Sequence, residues 1–223
     1  DGHLWSQDFK KGKVMMPVRK GEKVTKDKTG TAVIFEPDPE IFKEIKFGWK
    51  QIINHLRQQA YLTSGVRILV RDERTELPET YTFYFEGGLL AYLRYLLHDA
   101  KVRHETPFYV KGEKEGVMAE VVMHYTDEIE PYEESFANNI MTGEGGMHLT
   151  GFRTAITRVL NDWARKNGYL KEAEENLSGD DVREGLVAVV SVKIREPQFE
   201  GQTKAKLGNP EARLAVEVIV SAG

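Results

Sequence analysis

The chain has 223 residues, with 31 lysines and arginines against 35 aspartates and glutamates, a formal net charge of −4. With 40% hydrophobic and 10% aromatic residues it can fill real cores, which excludes disorder and collagen-like repeats. At roughly 100–200 residues per domain, the length admits one large or two small domains. The absence of cysteine removes disulfides, thiolate nucleophiles and cysteine zinc sites and fits a reducing compartment, so cytoplasm is the expected location. Every apolar run is shorter than the ~18–20 residues of a membrane span, and Asp1-Gly2-His3-Leu4-Trp5 has no leader-like character, so no membrane partner is expected. The first residue is not Met and the pattern opens midway, as in a piece of a longer polypeptide.

Residues 3–9 and 31–35 read as strands joined by an exposed connector rich in lysine (Lys10, Lys11, Lys13, Lys20, Lys23, Lys26, Lys28). After Pro37 and Pro39, the spacing of Ile41, Phe42, Ile45, Trp49, Ile52, Ile53, Leu56 and Ala60 predicts an amphipathic helix with a break at Gly48. Residues 66–71 and 81–85 read as an antiparallel pair. Glu86-Gly87-Gly88 ends that pattern, and Leu89, Leu90, Leu93, Leu96 and Leu97 open a new helix, so a domain border is expected there.

Residues 108–111 and 117–125 read as a hairpin around Gly112-Glu113-Lys114-Glu115-Gly116, followed by an acidic run, residues 127–134, read as a solvated loop. From about Gly146 to Arg165, Leu149, Phe152, Ile156, Val159 and Trp163 form the apolar stripe of a long helix, and Arg153, Arg158, Arg165 and Lys166 occupy its other faces. Ser178-Gly179-Asp180-Asp181 reads as a helix N-cap, residues 186–194 as a strand buried on both faces, and Pro210 as the start of a last amphipathic helix. Beyond residue 88 this order indicates a two-layer α/β domain.

The six histidines contain no helical zinc-protease pair, and no Gly-x-Ser-x-Gly elbow, Walker A loop or dinucleotide fingerprint occurs, so metal, hydrolase, P-loop and dinucleotide readings lose support. Two loops suit anion contact. Gly143-Glu144-Gly145-Gly146 precedes the long helix, where free N–H groups favour a phosphate or carboxylate, but Glu144 argues against an anion and a plain tight turn is the commoner reading. In Gly201-Gln202-Thr203-Lys204, Lys204 offers a point charge and Gln202 and Thr203 offer donors to a phosphate, although a loop lysine is usually just solvated. The basic helix residues suit a nucleic-acid backbone or an ordinary charged face, and the acidic balance argues against tight autonomous DNA binding.

Asn138-Asn139-Ile140, the run from Glu144 to Arg153, and the runs from Asp180 to Leu186 and Pro197 to Gly208 stand in linked order, with Lys28-Thr29-Gly30-Thr31 and Phe85-Glu86-Gly87-Gly88 upstream. In these motifs the sequence resembles the B subunit of bacterial DNA gyrase, the ATPase component of a type IIA topoisomerase, over essentially the whole chain. The resemblance implies an α/β (α+β) fold in two parts. Residues 1–87 would be the C-terminal part of a GHKL ATPase domain, a two-layer sandwich, and residues 88–223 a transducer domain with a ribosomal-protein-like left-handed β-α-β fold. By the same likeness Gln202 and Lys204 contact the γ-phosphate of ATP, Lys204 with a catalytic role, Thr31 lies near the adenine, and Arg153 faces transported DNA.

The implied cofactors are ATP and Mg2+. The implied partners are the A subunit of DNA gyrase, double-stranded DNA and a second copy of the B subunit. The water-activating glutamate, the magnesium-holding asparagine, the adenine-reading aspartate and the TOPRIM domain of the family have no counterpart in these residues. The chain alone is therefore expected not to hydrolyse ATP. The ATPase component of topoisomerase IV, which carries similar motifs, is the close alternative, and an autonomous nucleic-acid-binding module the distant one.

Overall fold

The computed structural model describes residues 2–25, 27–74 and 76–223. Asp1 of the opening, Lys26 of the lysine-rich connector and Thr75 of the turn between residues 72 and 79 lie outside the described residues. Contacts divide the chain into two compact units, Asp1–Trp49 and Lys50–Gly223.

The first unit holds four short strands, β1 (His3–Ser6), β2 (Phe9–Lys10), β3 (Lys13–Val14) and β4 (Arg19–Lys23). β1 pairs antiparallel with β4, and β2 with β3 around Lys11 and Gly12, whose φ of 50° and 74° suit a tight primed hairpin turn. Residues 31–35 form no strand, contrary to the expectation. A strand needs a neighbour for its N–H and C=O groups, and β-branched composition alone does not supply one; Val33, Ile34 and Phe35 stand exposed. Residues 41–48 are likewise not helical. Asp38 closes one turn there, accepting from the N–H groups of Ile41 (3.0 Å) and Phe42 (2.8 Å), and the apolar stripe beyond it is not covered by the described residues, since Ile41, Phe42 and Ile45 are exposed.

The helix begins only past Gly48, as α1 (Trp49–Leu62). In the second unit β5 (Ile68–Asp72) and β6 (Glu79–Phe83) pair antiparallel as expected, and α2 (Gly88–Leu97) follows the Gly87-Gly88 step. β7 (Phe108–Lys114) and β8 (Val117–Tyr125) make the expected hairpin, tighter than the sequence suggested. Lys114 pairs with Val117, and the two-residue turn Glu115-Gly116 has φ of 52° and 78°. β9 (Tyr132–Ala137) and β10 (Ile140–Met141) form a second such hairpin around Asn138 and Asn139, at φ of 49° and 64°. Asn138 extends the pairing sideways, donating from Nδ2 to Ile194 O at 2.8 Å and accepting from Ile194 N at 2.9 Å.

The long helix is α3 (Met147–Lys166), and α4 (Gly179–Arg183) starts on a Ser178 capping box with Asp181. β11 (Leu186–Lys193), the hairpin strands β12 (Phe199–Glu200) and β13 (Lys206–Leu207), and α5 (Pro210–Ala222) complete the unit. The five-stranded sheet has the order β10-β9-β11-β8-β7. β11 runs parallel to β9, with α3 and α4 in the crossover between them, and antiparallel to β8.

This central place explains the unbroken aliphatic run of β11. Ala188, Val190 and Val192 pack on one face with Phe152 and Ile156 of α3 and Val216 of α5, while Val187 and Val189 pack on the other with Leu89, Tyr92 and Leu93 of α2. The architecture is mixed α/β as expected, but helices cover both faces of this sheet, so the two layers expected beyond residue 88 are three. α3 and α5 cross closely at Gly151, where an added Cβ would sit 2.4 Å from Arg213 O.

The acidic run is an exposed loop only over residues 127–131. Its end is β9, and the side chains of Glu133 and Glu134 are buried, each answered by specific donors. Glu134 accepts from the hydroxyls of Tyr92 and Tyr132, both at 2.6 Å, and burial together with this carboxylate pushes both phenols upward from their ordinary range.

Candidate functional site

The loop read as a phosphate contact is the tip of the β12–β13 hairpin. Phe199 pairs with Leu207 and Glu200 with Lys206, leaving residues 201–205 as the connection. Gly201 at φ 81° turns the chain, and Lys204 holds the left-handed φ of 56° that a non-glycine residue rarely adopts. Its N–H donates to Gly201 O at 3.3 Å, closing the turn. The side chains of Gln202, Thr203 and Lys204 are exposed.

The two lysines of the hairpin differ electrostatically. Lys206 pairs across the ladder with Glu200 at 3.2 Å, whereas Lys204 has no carboxylate partner among the described residues and its ammonium rests 5.8 Å from the centre of the Phe199 ring. A cation held by an aromatic face is easily redirected to an anion. Lys204 is thus the hairpin lysine whose charge is not already neutralised.

The base of the hairpin is fixed. Leu207 is fully buried, and its N–H donates to Gly145 O at 3.1 Å, while Glu144 N–H donates to Ala205 O at 2.9 Å. Gly146, the N-cap of α3, lies against Leu207 so closely that a Cβ would come within 2.5 Å of its backbone nitrogen. Of the two readings of residues 143–146, the tight turn holds and the anion cradle does not. Glu144 N–H is spent on the hairpin and Gly145 N–H on Thr142 O at 2.8 Å, so the glycines serve close backbone approach.

The loop is held from below as well. Thr142 donates to Ser135 O at 2.9 Å and meets His148 Nε2 at 3.2 Å. His148, in the first turn of α3, is fully buried, which pushes its imidazole down to about 4 and keeps it neutral. With the Thr142 hydroxyl hydrogen committed to Ser135, His148 donates through Nε2, and its Nδ1 has no partner among the described residues. Hairpin tip, Gly143–Gly146 loop, α3 and β9 are one hydrogen-bonded assembly.

Within that assembly Arg153 stands on α3 about two turns past the N-cap Gly146. Its Nε donates to Glu133 Oε1 and Oε2 at 3.1 and 3.0 Å, and its Nη2 forms a further short contact with Oε2. This hydrogen bonding raises the arginine further above its ordinary range. Arg153 also borders an open groove of about 480 Å3 with Arg158 and Arg183, beside the single acid Asp162. Glu133, the residue that holds Arg153, reads in the sequence only as a member of a solvated acidic run, because nothing there marks it as a strand residue facing a helix. Thr31 belongs to the first unit and is exposed there.

A family model described as DNA gyrase B matches residues 88–223. The DNA gyrase B subunit of Clostridium acetobutylicum is 48% identical to the chain over 223 residues, 99% of this chain and 34% of that protein. Among solved structures, the 43K ATPase domain of Thermus thermophilus gyrase B, in complex with an aminocoumarin, superposes with a TM-score of 0.83 at 38% identity, covering 100% of this chain and 59% of that one. The topoisomerase IV ATP-binding domain of Francisella tularensis, in complex with a small-molecule inhibitor, gives a TM-score of 0.76 at 28% identity, over 100% of this chain and 61% of that one. The chain spans about a third of the length of the curated relatives it matches.

Proposed function

The chain belongs to the DNA gyrase B family, and on that premise we propose that it is the part of a cytoplasmic, ATP-dependent type II topoisomerase that registers bound nucleotide and passes the signal toward DNA. Residues 1–87 act as the C-terminal part of the ATPase domain and residues 88–223 as the transducer. Lys204 and Gln202 meet the γ-phosphate, and Thr31 lies near the adenine. The free donors of the loop fit a phosphate: the Lys204 ammonium has no ion pair among the described residues, and the Gln202 amide and Thr203 hydroxyl are exposed beside it. A cation brought to the phosphate in this way stabilises charge on a transferring phosphoryl group. Magnesium, bound with the nucleotide, supplies further neutralisation of the phosphate oxygens.

The observation that carries the reading is the backbone stitching of the hairpin to the start of α3, through Leu207 to Gly145 and Glu144 to Ala205. A shift of Lys204 toward phosphate pulls on the element that bears Arg153, so nucleotide state biases the orientation of the basic groove. Two copies of the protein would then close around double-stranded DNA, alongside the A subunit of DNA gyrase, as a population shift driven by differential contact with ATP. The product of this cycle in a gyrase is negative supercoiling. The likeness to the topoisomerase IV domain keeps decatenation as the second reading.

ATP turnover of the full-length protein tests the loop. Lys204→Ala should lower turnover by at least about tenfold, the scale of one well-placed charged contact, while Lys206→Ala, whose charge is already matched, should change it little. Equal effects of the two substitutions would remove the assignment.

A further inference from the structure

The sheet face turned toward α2 changes character along its length. Val122, Val187 and Val189 are covered by Leu89, Tyr92 and Leu93. Two and four residues further along the same faces stand Glu120 and Met118 on β8 and Ser191 and Lys193 on β11. There the helical cover ends, and these side chains floor a cavity of about 440 Å3 walled by the segment after α1 and the first turn of α2.

Ser191 is 7% exposed, and its hydroxyl has no hydrogen-bond partner among the described residues. The rest of the residue is enclosed, and the hydroxyl lines the cavity, where it is open to a ligand. A second, independent feature meets it. α2 begins at Gly88 with no side-chain cap, and Gly87, Gly88 and Leu89 border the same cavity, so the first N–H groups and the positive end of a ten-residue helix face it.

The charges around the cavity are unequal in availability. Lys111 and Glu120 pair at 3.3 Å, and the Tyr109 hydroxyl also donates to Glu120 at 3.2 Å. Glu86 accepts from Tyr84 at 2.9 Å. Lys193 has no ion pair among the described residues. The uncommitted groups are therefore donors: the Ser191 hydroxyl, the Lys193 ammonium and the α2 N–H groups. Leu62, Val66 and Met118 supply apolar wall, and the volume suits a small molecule.

We propose that this cavity binds a small organic anion, its acidic group taken by Ser191, Lys193 and the α2 N-terminus and its apolar body by Leu62, Val66 and Met118. None of the residues of the 201–205 loop lines the cavity, so the site is separate from the nucleotide reading and does not rest on it. A ligand there bridges α2 and β11 and strengthens the packing of α2 on the sheet.

Phenyl phosphate titrated calorimetrically into the 223-residue chain, with amide NMR shifts followed in parallel, tests this. Saturable binding is expected, with shifts at Gly88, Leu89 and Ser191, and inorganic phosphate should bind at least about tenfold more weakly because it lacks the apolar body. Lys193→Gln, at an exposed position, and Ser191→Ala, which removes only the hydroxyl, should each weaken phenyl phosphate by about tenfold, the scale of a charge-assisted hydrogen bond. The proposal is overturned by the absence of saturable binding, by inorganic phosphate binding equally well, or by unchanged affinity in a folded Lys193→Gln protein.

Discussion

Gly146→Ala probes the junction between hairpin and helix. The new Cβ would lie 2.4 Å from Leu207 O and 2.5 Å from Leu207 N, at a backbone φ of 135° that L side chains rarely adopt. Leu207 is fully buried, so its backbone cannot retreat without drawing a core side chain with it. The strained backbone costs about 1–3 kcal/mol, and loss of the hydrogen bonds Leu207 to Gly145 and Glu144 to Ala205 about 1 kcal/mol each. The sum is roughly 3–5 kcal/mol of unfolding free energy for the second unit. Urea unfolding followed by circular dichroism reads this directly. Gly143→Ala is the internal control: nothing lies within 4 Å of its Cβ and its φ is outside the left-handed range, so its effect should stay within about 0.5 kcal/mol. If the two substitutions proved equally mild, the hairpin would not be docked through Gly146 as described.

His148 makes stability depend on pH. Its folded value is about 4 against an ordinary 6.5, so the unfolded chain takes up a proton in that window that the folded chain refuses. The sign follows: stability is full above pH 6.5 and falls by up to about 3 kcal/mol as pH drops through the window toward 4. His148→Gln should flatten that part of a pH series of urea unfolding curves, and an unchanged slope relative to wild type would contradict the burial argument. Arg153→Gln should leave the buried Glu133 carboxylate short of donors and cost about 1–3 kcal/mol, of which Glu133→Gln in the same chain should recover part. In the full-length protein, Arg153→Gln should impair DNA-stimulated ATP turnover more than basal turnover; equal loss of both would assign the arginine a structural role.

Sequence patterning located the elements whose burial is internal to one unit. β11 was legible because a strand between two partners, covered on both faces, must be aliphatic throughout, and α3 because its stripe from Leu149 to Ile156 faces that strand. The Ser178 cap and the hairpin glycine at Gly116 were legible because their chemistry is local. Residues 31–35 and 41–48 misled, since Val33, Ile34, Phe35 and Ile41 carry the composition of strand and helix without the partner surfaces that such elements need. β9 was hidden by its carboxylates. Glu133 and Glu134 sit inside only because Arg153, Tyr92 and Tyr132 reach them from other elements or from along the strand, and no local pattern announces such pairing. At the candidate site the loop was visible in its residues, but its attachment was not. Gly145 and Gly146 read as a tight turn or an anion cradle, and only the approach of Leu207 shows them to be the seat of the hairpin.

Nucleotide discrimination by the Lys204 side chain tests the central claim most directly. The affinities of the full-length protein for a non-hydrolysable ATP analogue and for ADP, each with magnesium, are measured for wild type and Lys204→Ala. The account predicts that the substitution weakens the analogue by at least about tenfold, as expected for loss of a charge-assisted phosphate contact, while ADP binding is unchanged. Equal loss for both nucleotides, or for neither, would contradict a γ-phosphate contact at Lys204.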